Sequence, residues 1–401
     1  MADVILTLNA GSSSIKFAFY EITAPGELRL DLHGQLEGMR GPDPHLRTEA
    51  GDGSVTFDRH AIGLAGDGTK SLAVKIRREL AHHRLVAVGH RVAHGGPFFT
   101  GPALVTEKTL AQMESLVSLA PLHQPFSIAP MKTLAAEFPG VPQVACFDTS
   151  FHRGHSEVVD FFAIPRALHD QGVRRYGFHG LSYEFIARSL PQLDAELSHG
   201  RTVVAHLGSG ASMCAMRNGK SVDCTISFTA LGGIPMGTRC GDLDPGVVLY
   251  LLREKGMSVA EVEALLYKES GLTGLSGVGN DMRTLEASAN PFAKLAIDHF
   301  VYRVCASLAG LAATLGGLDG IVFTAGIGEH SKRIRAEVLQ GCGWMGVELD
   351  EARNDTGGPR ITSDGSKVSA WVIPTDEQLM IGYHTYDVVT QTAFSTAAQP
   401  R

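Results

Sequence analysis

Short apolar runs bounded by small polar residues alternate along the chain with longer stretches whose apolar positions recur at helical spacing. Val4-Ile5-Leu6-Thr7-Leu8 is one such run, and after a Gly-Ser turn residues 15–21 resume with partial alternation. The chain therefore opens as strand, small-residue loop and strand. The pattern recurs half a chain later, where residues 202–207 run into Gly208-Ser209-Gly210-Ala211-Ser212, and Asn218-Gly219 reads as a hairpin turn ahead of Lys220-Ser221-Val222-Asp223. Two such units suggest a duplicated architecture with one nucleotide-contacting loop from each half; two unrelated hairpins are the alternative. Spacing near 3.6 predicts helices over 107–119, 128–137, 182–190, 291–315 and 332–340, with further β-type runs at 144–147 and 321–323. Strands alternating with helices put the chain in the α/β class with mixed sheets. Residues 391–401 are small and polar and are expected to fray.

Composition narrows the functions. A chain of 401 residues, 44% of them hydrophobic, is long enough for two or three domains with real cores. Its net charge of −7 lacks the basic footprint of a nucleic-acid or anionic-membrane binder, so small-molecule partners are expected. Met1-Ala2-Asp3 places an acid where a signal peptide carries a base. The stretch 304–318, broken by glycines and bounded by Arg303 and Asp319, reads as a buried helix rather than a membrane span. Cysteines 146, 214, 224, 240, 305 and 342 show no close pairing, which fits a reducing cytoplasm.

Several standard motifs are absent. Gly219-Lys220-Ser221 has Cys214 where a P-loop needs its first glycine, and Gly341-Cys342-Gly343-Trp344-Met345-Gly346 follows a charged helical stretch where a dinucleotide fold needs a strand. The pairs His90/His94 and His152/His155 lack metal-ligand partners and read as structural. What remains suits phosphate chemistry. Asn9-Ala10-Gly11-Ser12-Ser13-Ser14-Ile15-Lys16 offers backbone N–H groups, hydroxyls and an ammonium at a turn. Gly208-Ser209-Gly210 has the same character, and the small residues of Thr324-Ala325-Gly326-Ile327-Gly328-Glu329 let a flat base approach the backbone after a strand. Arg91 and Arg239 stand in glycine-flanked loops, where a guanidinium fork can reach a ligand oxygen. Asp148 sits just past an apolar run, at a strand end, where α/β sites usually lie; its alternative role is a helix cap.

Together with Gly89-His90-Arg91-Val92, Phe147-Asp148-Thr149-Ser150-Phe151-His152, Arg175-Tyr176-Gly177-Phe178-His179-Gly180 and Met236-Gly237-Thr238-Arg239-Cys240-Gly241-Asp242, these loops follow one another in an order that resembles the acetate kinase family. The resemblance implies two related actin-like, ribonuclease H-like domains with mixed sheets around an interdomain ATP cleft. Residues 1–148 plus 379–401 would form the carboxylate side and 149–378 the nucleotide side. It implies reversible transfer of the ATP γ-phosphoryl to acetate, giving acetyl phosphate and ADP by direct in-line displacement, with Mg²⁺ or Mn²⁺.

Asn9 and Glu377 would hold the metal, and Lys16, Ser12 and Ser14 the nucleotide phosphates. Arg91 would bind the substrate carboxylate, and Arg239 and His179 the transferring phosphoryl. His206, Leu207, Gly208, Ser209 and Gly210, with Asp281, Met282, Arg283, Gly326, Ile327, Gly328, Glu329 and His330, would form the ATP site. Asp148 is the family's candidate proton acceptor; a carboxylate already ionised at neutral pH needs no general base, so an orienting role is preferred. Ser209, Met282 and His330 depart from the family's usual Asn, Phe and Asn, which leaves nucleotide preference open. Ala93 and Ala230 replace the usual Val and Pro beside Leu122 and Phe178 in the alkyl pocket. Smaller walls would admit propionate, so a propionate or other short-chain acyl kinase is the alternative. An actin- or heat-shock-type ATPase is a more distant one, and a homodimer is implied by the resemblance.

Overall fold

The computed structural model describes residues 1–11, 14–38, 44–60, 76–77, 80, 83–121 and 123–397. Ser12 and Leu122 lie outside these residues. The chain divides into two compact units, Met1–Phe151 with Asp376–Arg401, and His152–Thr375.

The first unit is built on an eight-stranded sheet in the order β5-β4-β3-β2-β1-β6-β8-β7. Its strands are β1 (Ala2–Ala10), β2 (Ser14–Ala24), β3 (Glu27–Glu37), β4 (His45–Ala50), β5 (Val55–His60), β6 (His83–Val92), β7 (Ala103–Leu104) and β8 (Gln143–Phe147). Period-two alternation puts Val4, Leu6 and Leu8 of β1 beside Ile15, Phe17 and Phe19 of β2 in one core with Leu36, Val88 and Leu134. The opposite face of β1 is buried too, under the helix Glu377–Ala397. Gly89 of β6 makes that packing feasible, because a Cβ there would collide with Ile381 and Thr385 of the helix. Burial on both faces explains why β1 and β8 read as continuous apolar runs.

The second unit has five strands in the order β11-β10-β9-β12-β13. These are β9 (Arg201–Leu207), β10 (Ala211–Arg217), β11 (Lys220–Cys224), β12 (Gly320–Thr324) and β13 (Ser369–Val372). Asn218 and Gly219 both have positive φ, as the tight turn between β10 and β11 requires. The helix Pro291–Leu315 starts at Asn290, whose side chain accepts from Phe292 N at 2.9 Å, and stops at Gly316 with φ +69°. It is long and apolar enough to cross a membrane by length and composition. Here Ile297, Phe300, Val304 and Leu308 are buried, and the helix packs on β9, β10 and β11.

The duplication is explicit in the pairing. β3-β2-β1-β6-β8 and β11-β10-β9-β12-β13 each run antiparallel, antiparallel, parallel, parallel. Each unit is thus the same five-stranded mixed sheet, and the first extends its antiparallel edge with β4 and β5.

Several elements differ from expectation. Residues 391–397 continue the helix Glu377–Ala397 rather than fray, since propagating a formed helix by a turn costs little, and 398–401, the rest of the segment expected to fray, lie outside the described residues. The stretch after β12 is a helical turn, Ala325–His330, rather than an open glycine loop. The expected helix over 107–119 is an α-helix, Glu107–Ser115, and a separate 3₁₀ turn, Val117–Leu119.

Candidate active site

In the first unit, the C-terminal ends of three adjacent parallel strands collect polar residues. Asn9 ends β1, Arg91 ends β6, and Asp148 follows β8, where its N–H still donates to Val92 O at 3.0 Å. Arg91 reaches Asp148 with two hydrogen bonds, Nε to Oδ1 at 3.1 Å and Nη2 to Oδ2 at 2.5 Å. Its third nitrogen, Nη1, donates to Asn9 Oδ1 at 3.1 Å. Asn9 Nδ2 in turn donates to Glu377 Oε2 at 3.5 Å, at the start of the last helix. Burial works against the Arg91 charge, and the Asp148 and Glu377 carboxylates outweigh it, so its pKa lies above the ordinary value. Asp148 is buried while the Arg91 side chain keeps 24% exposure, enough to meet a small anion. Ala93, just past β6, is buried.

Ser14 begins β2, and Gly11 N donates to its carbonyl at 2.8 Å, closing the turn. Lys16 pairs across the sheet with Asn9 and is exposed, opening onto a recess of about 450 Å³ shared with Tyr20, Arg47 and Gln378.

The second unit carries a cavity of about 460 Å³. It brings together Gly208 and Ser209 from the turn after β9, Asp281, Met282 and Arg283 from the start of the helix Met282–Ala287, and Gly326, Ile327 and His330 from the turn after β12. Asp281 caps its helix, accepting from Arg283 N and Thr284 N, and also holds the exposed Arg283 guanidinium through Nη2 at 2.8 Å. The Arg283 hydrogen bond and the backbone donors lower the Asp281 pKa to about 2. A Cβ on Gly326 would meet nothing within 4 Å, so this wall is open space.

Asn280, Glu286 and Ser331 also line this cavity and were missed by the sequence reading. Glu286 stands one helical turn beyond Met282, a spacing that would have found it. Ser331 caps the next helix, Lys332–Gly341, and donates to Glu286 Oε1 at 2.5 Å.

His206, Leu207, Gly210, Gly328 and Glu329 do not line the cavity. Glu329 instead accepts from Ala325 N at 2.7 Å and Thr375 N at 3.3 Å, and so braces its own turn. The carbonyls of Gly328 and Glu329 are held by the fully buried Arg335, which also bonds Asn354.

Gly210 stands where two expected phosphoryl ligands converge. A Cβ there would lie 3.4 Å from His179 Nε2 and 3.6 Å from Arg239 Nη2. Arg239 is steadied by Nη1 donating to Ala230 O at 2.8 Å. His179 stacks on His206, centroids 4.3 Å apart, and Phe178 is buried beside it. The remaining histidine pairs are structural in their contacts. His90 Nε2 meets Gln143 Oε1 at 2.6 Å, and His152 and His155 both bond Ser221 Oγ at 2.7 Å. Among the described residues no group of three His, Cys, Asp or Glu side chains is arranged as a metal cluster.

The family model described as Acetokinase family matches residues 4–383. The chain is 53% identical over 392 residues to an acetate kinase of Rhodopseudomonas palustris, covering 96% of this chain and 98% of that one. It is 50% identical to an acetate kinase of Nitrobacter hamburgensis, covering 100% and 99%. Among solved structures, a propionate kinase from Francisella tularensis is 34% identical with a TM-score of 0.89, covering 96% of this chain and 99% of that one. An acetate kinase from Porphyromonas gingivalis is 33% identical with a TM-score of 0.85, covering 97% and 100%.

Proposed function

The chain belongs to the acetokinase family, and from that membership we propose that it transfers the γ-phosphoryl of ATP to acetate, reversibly, giving acetyl phosphate and ADP. It is a phosphotransferase with a carboxyl group as acceptor. The observation that carries the residue assignment is the chain of contacts from Asp148 through Arg91 and Asn9 to Glu377 at one strand-end edge.

Arg91 binds the substrate carboxylate, and the Asp148 fork fixes the plane in which its guanidinium can do so. The acceptor is already ionised, so Asp148 orients rather than abstracts. Asn9 and Glu377, brought together by the Asn9 Nδ2 to Glu377 Oε2 contact, carry an amide and a carboxylate oxygen, donors of the kind that suits Mg²⁺, with Mn²⁺ as a substitute. Such an ion, held by Asn9 and Glu377, would supply positive charge to neutralise the charge developing on the phosphates. Lys16, Ser12 and Ser14 take the phosphates. In the second unit the 460 Å³ cavity takes the nucleoside, with Arg283 on its rim, and His206, Leu207, Gly210, Gly328 and Glu329 support its walls. His179 and Arg239 stabilise the phosphoryl in flight.

A second reading, a propionate kinase with the same mechanism, is favoured by the alanine at positions 93 and 230 and by the likeness to the Francisella propionate kinase. Phosphoryl transfer from Mg-ATP to acetate, propionate and butyrate in parallel, trapped with hydroxylamine, separates the readings. Hydroxamate strongest with acetate supports the first and strongest with propionate the second. ATP hydrolysis without hydroxamate would overturn both in favour of an actin- or heat-shock-type ATPase.

The homodimer is also a proposal. Phe292, Leu295 and Tyr302 expose 59%, 51% and 66% of their surface along one side of the helix Pro291–Leu315, an apolar stripe suited to a second copy. Six cysteines in the thiol form and a net charge of −7 support a cytoplasmic enzyme without nucleic-acid or membrane partners.

A further inference from the structure

His179 is held from behind as well as from above. Its backbone adopts φ +56°, a left-handed conformation disfavoured outside glycine, at the start of the helix Gly180–Leu193. That geometry turns Nε2 toward the space over Gly210, which Arg239 Nη2 also borders. The other ring nitrogen, Nδ1, lies 2.8 Å from Ser212 Oγ on β10. Ser212 Oγ is hydrogen-bonded in turn to the Tyr183 hydroxyl, one turn into the helix that His179 begins. Ser212 and Tyr183 are both fully buried.

The directions of these bonds follow from counting protons. Burial raises the Tyr183 pKa well above its ordinary value, so the phenol keeps its proton. Among the described residues its hydrogen-bond partner is Ser212 Oγ. A buried O–H without an acceptor is costly, so Tyr183 donates to Ser212. The single Ser212 proton then goes to the remaining acceptor, His179 Nδ1. With Nδ1 accepting, the ring proton stands on Nε2. The reverse order, Nδ1–H to Ser212 and Ser212 to Tyr183, would strand the phenolic proton in the core.

We propose that Ser212 and Tyr183 are positioning residues that hold His179 in the tautomer protonated on Nε2, aiming a hydrogen-bond donor at the space shared by Gly210 and Arg239. The inference rests on the phosphoryl role given to His179 above. Charge spreads over the equatorial oxygens of a transferring phosphoryl, and a preoriented N–H stabilises it while an imidazole lone pair would repel it. The stack of His206 on His179, with planes 18° apart, fixes the ring's tilt, and Ser182 Oγ fixes His206 through Nδ1 at 2.8 Å. The relay sets which end donates; the stack sets where it points.

The test combines a spectroscopic with a kinetic readout on the full-length enzyme. Long-range ¹H–¹⁵N spectra of protein labelled at its imidazole nitrogens, with His179 identified by its loss in His179→Gln, should show Nδ1 unprotonated and Nε2 protonated. Tyr183→Phe and Ser212→Ala should each convert that signal to a mixture of tautomers. Ser212→Ala should lower kcat about tenfold to hundredfold with KM for acetate and ATP within about twofold, and Tyr183→Phe should lower kcat about threefold to tenfold. Ser212→Thr, which keeps the hydroxyl, should recover most of the loss. Wild-type His179 protonated at Nδ1, or a folded Tyr183→Phe with unchanged tautomer and unchanged kcat, would overturn the relay. A fully active His179→Ala enzyme beside the expected wild-type spectrum would uphold the relay and overturn the phosphoryl role beneath it.

Discussion

Asp148 holds Arg91 by a two-pronged fork, and the parallel register of β6 and β8 brings them together: Arg91 pairs with Cys146 and Val92 with Phe147, which leaves Asp148 as the next residue outward. The fork leaves Nη1 for Asn9, so one guanidinium ties three strand ends to one another.

Asp148→Asn keeps the shape and removes the charge. We expect kcat/KM for acetate to fall by about a hundredfold or more, with KM for ATP little changed, because Arg91 loses its orientation rather than the enzyme a base. Full truncation to Ala leaves a largely buried guanidinium without its main partner and should cost about 3–5 kcal/mol of stability. Steady-state kinetics and denaturant melts check the pair. A steep acid limb present in the parent and absent in Asp148→Asn would restore the general-base role instead.

Gly326→Leu probes the cavity without disturbing the fold, since the space a side chain would enter is empty. KM for ATP should rise by about tenfold or more while the melting temperature stays put. A variant with unchanged KM would place the nucleoside elsewhere.

The cavity shows what a single chain can reveal. Gly208, Asp281 and Gly326 stand in segments whose small or capping residues mark loop ends locally, and all three prove to line one space. The helix Pro291–Leu315 was legible at both ends because Asn290, Pro291 and Gly316 are its own punctuation. Contacts set by register were not legible. Nothing near Asp148 says that Arg91 is its partner, and nothing near Arg335 says that it will be buried against the Gly328 and Glu329 carbonyls. The helical turn Ala325–His330 was misread because its glycines argue against a helix, whereas Glu329 closes it by accepting from Ala325 N.

Burial holds three histidines uncharged: His90 is lowered to about 4, His152 to about 3, and His155 to about 4. Their unfolded value is near 6.5, so below it the unfolded chain takes up protons that the native state refuses. Stability should therefore be complete above pH 6.5 and fall as pH drops toward 4. Urea midpoints across that range should show the slope, and His90→Gln should make it shallower; a flat profile would refute the buried neutral state.

Ala93→Val adds two methyl carbons to a buried wall beside Arg91. If that wall meets the acyl chain, kcat/KM for propionate should fall about tenfold relative to acetate, within the 1–3 kcal/mol that a methylene commands. Equal losses for the two acids would remove Ala93 from the specificity pocket.

Leu295→Glu places a charge in the exposed stripe of the helix Pro291–Leu315 without touching its buried side. Sedimentation should report a dimer for the parent and a monomer for the variant. Unchanged mass would move the interface elsewhere.

The contact between Asn9 and Glu377 spans 368 positions of sequence. Gly89 was left bare for a helix made of the last residues described, so the sheet of the first unit emerges from the ribosome with one apolar face uncovered. At about 5–20 residues per second, that face waits roughly 10–50 seconds for its cover while the whole second unit is synthesised. The unit that begins the chain is the last to be finished, and nascent chains stalled before Glu377 are where a chaperone would be needed most.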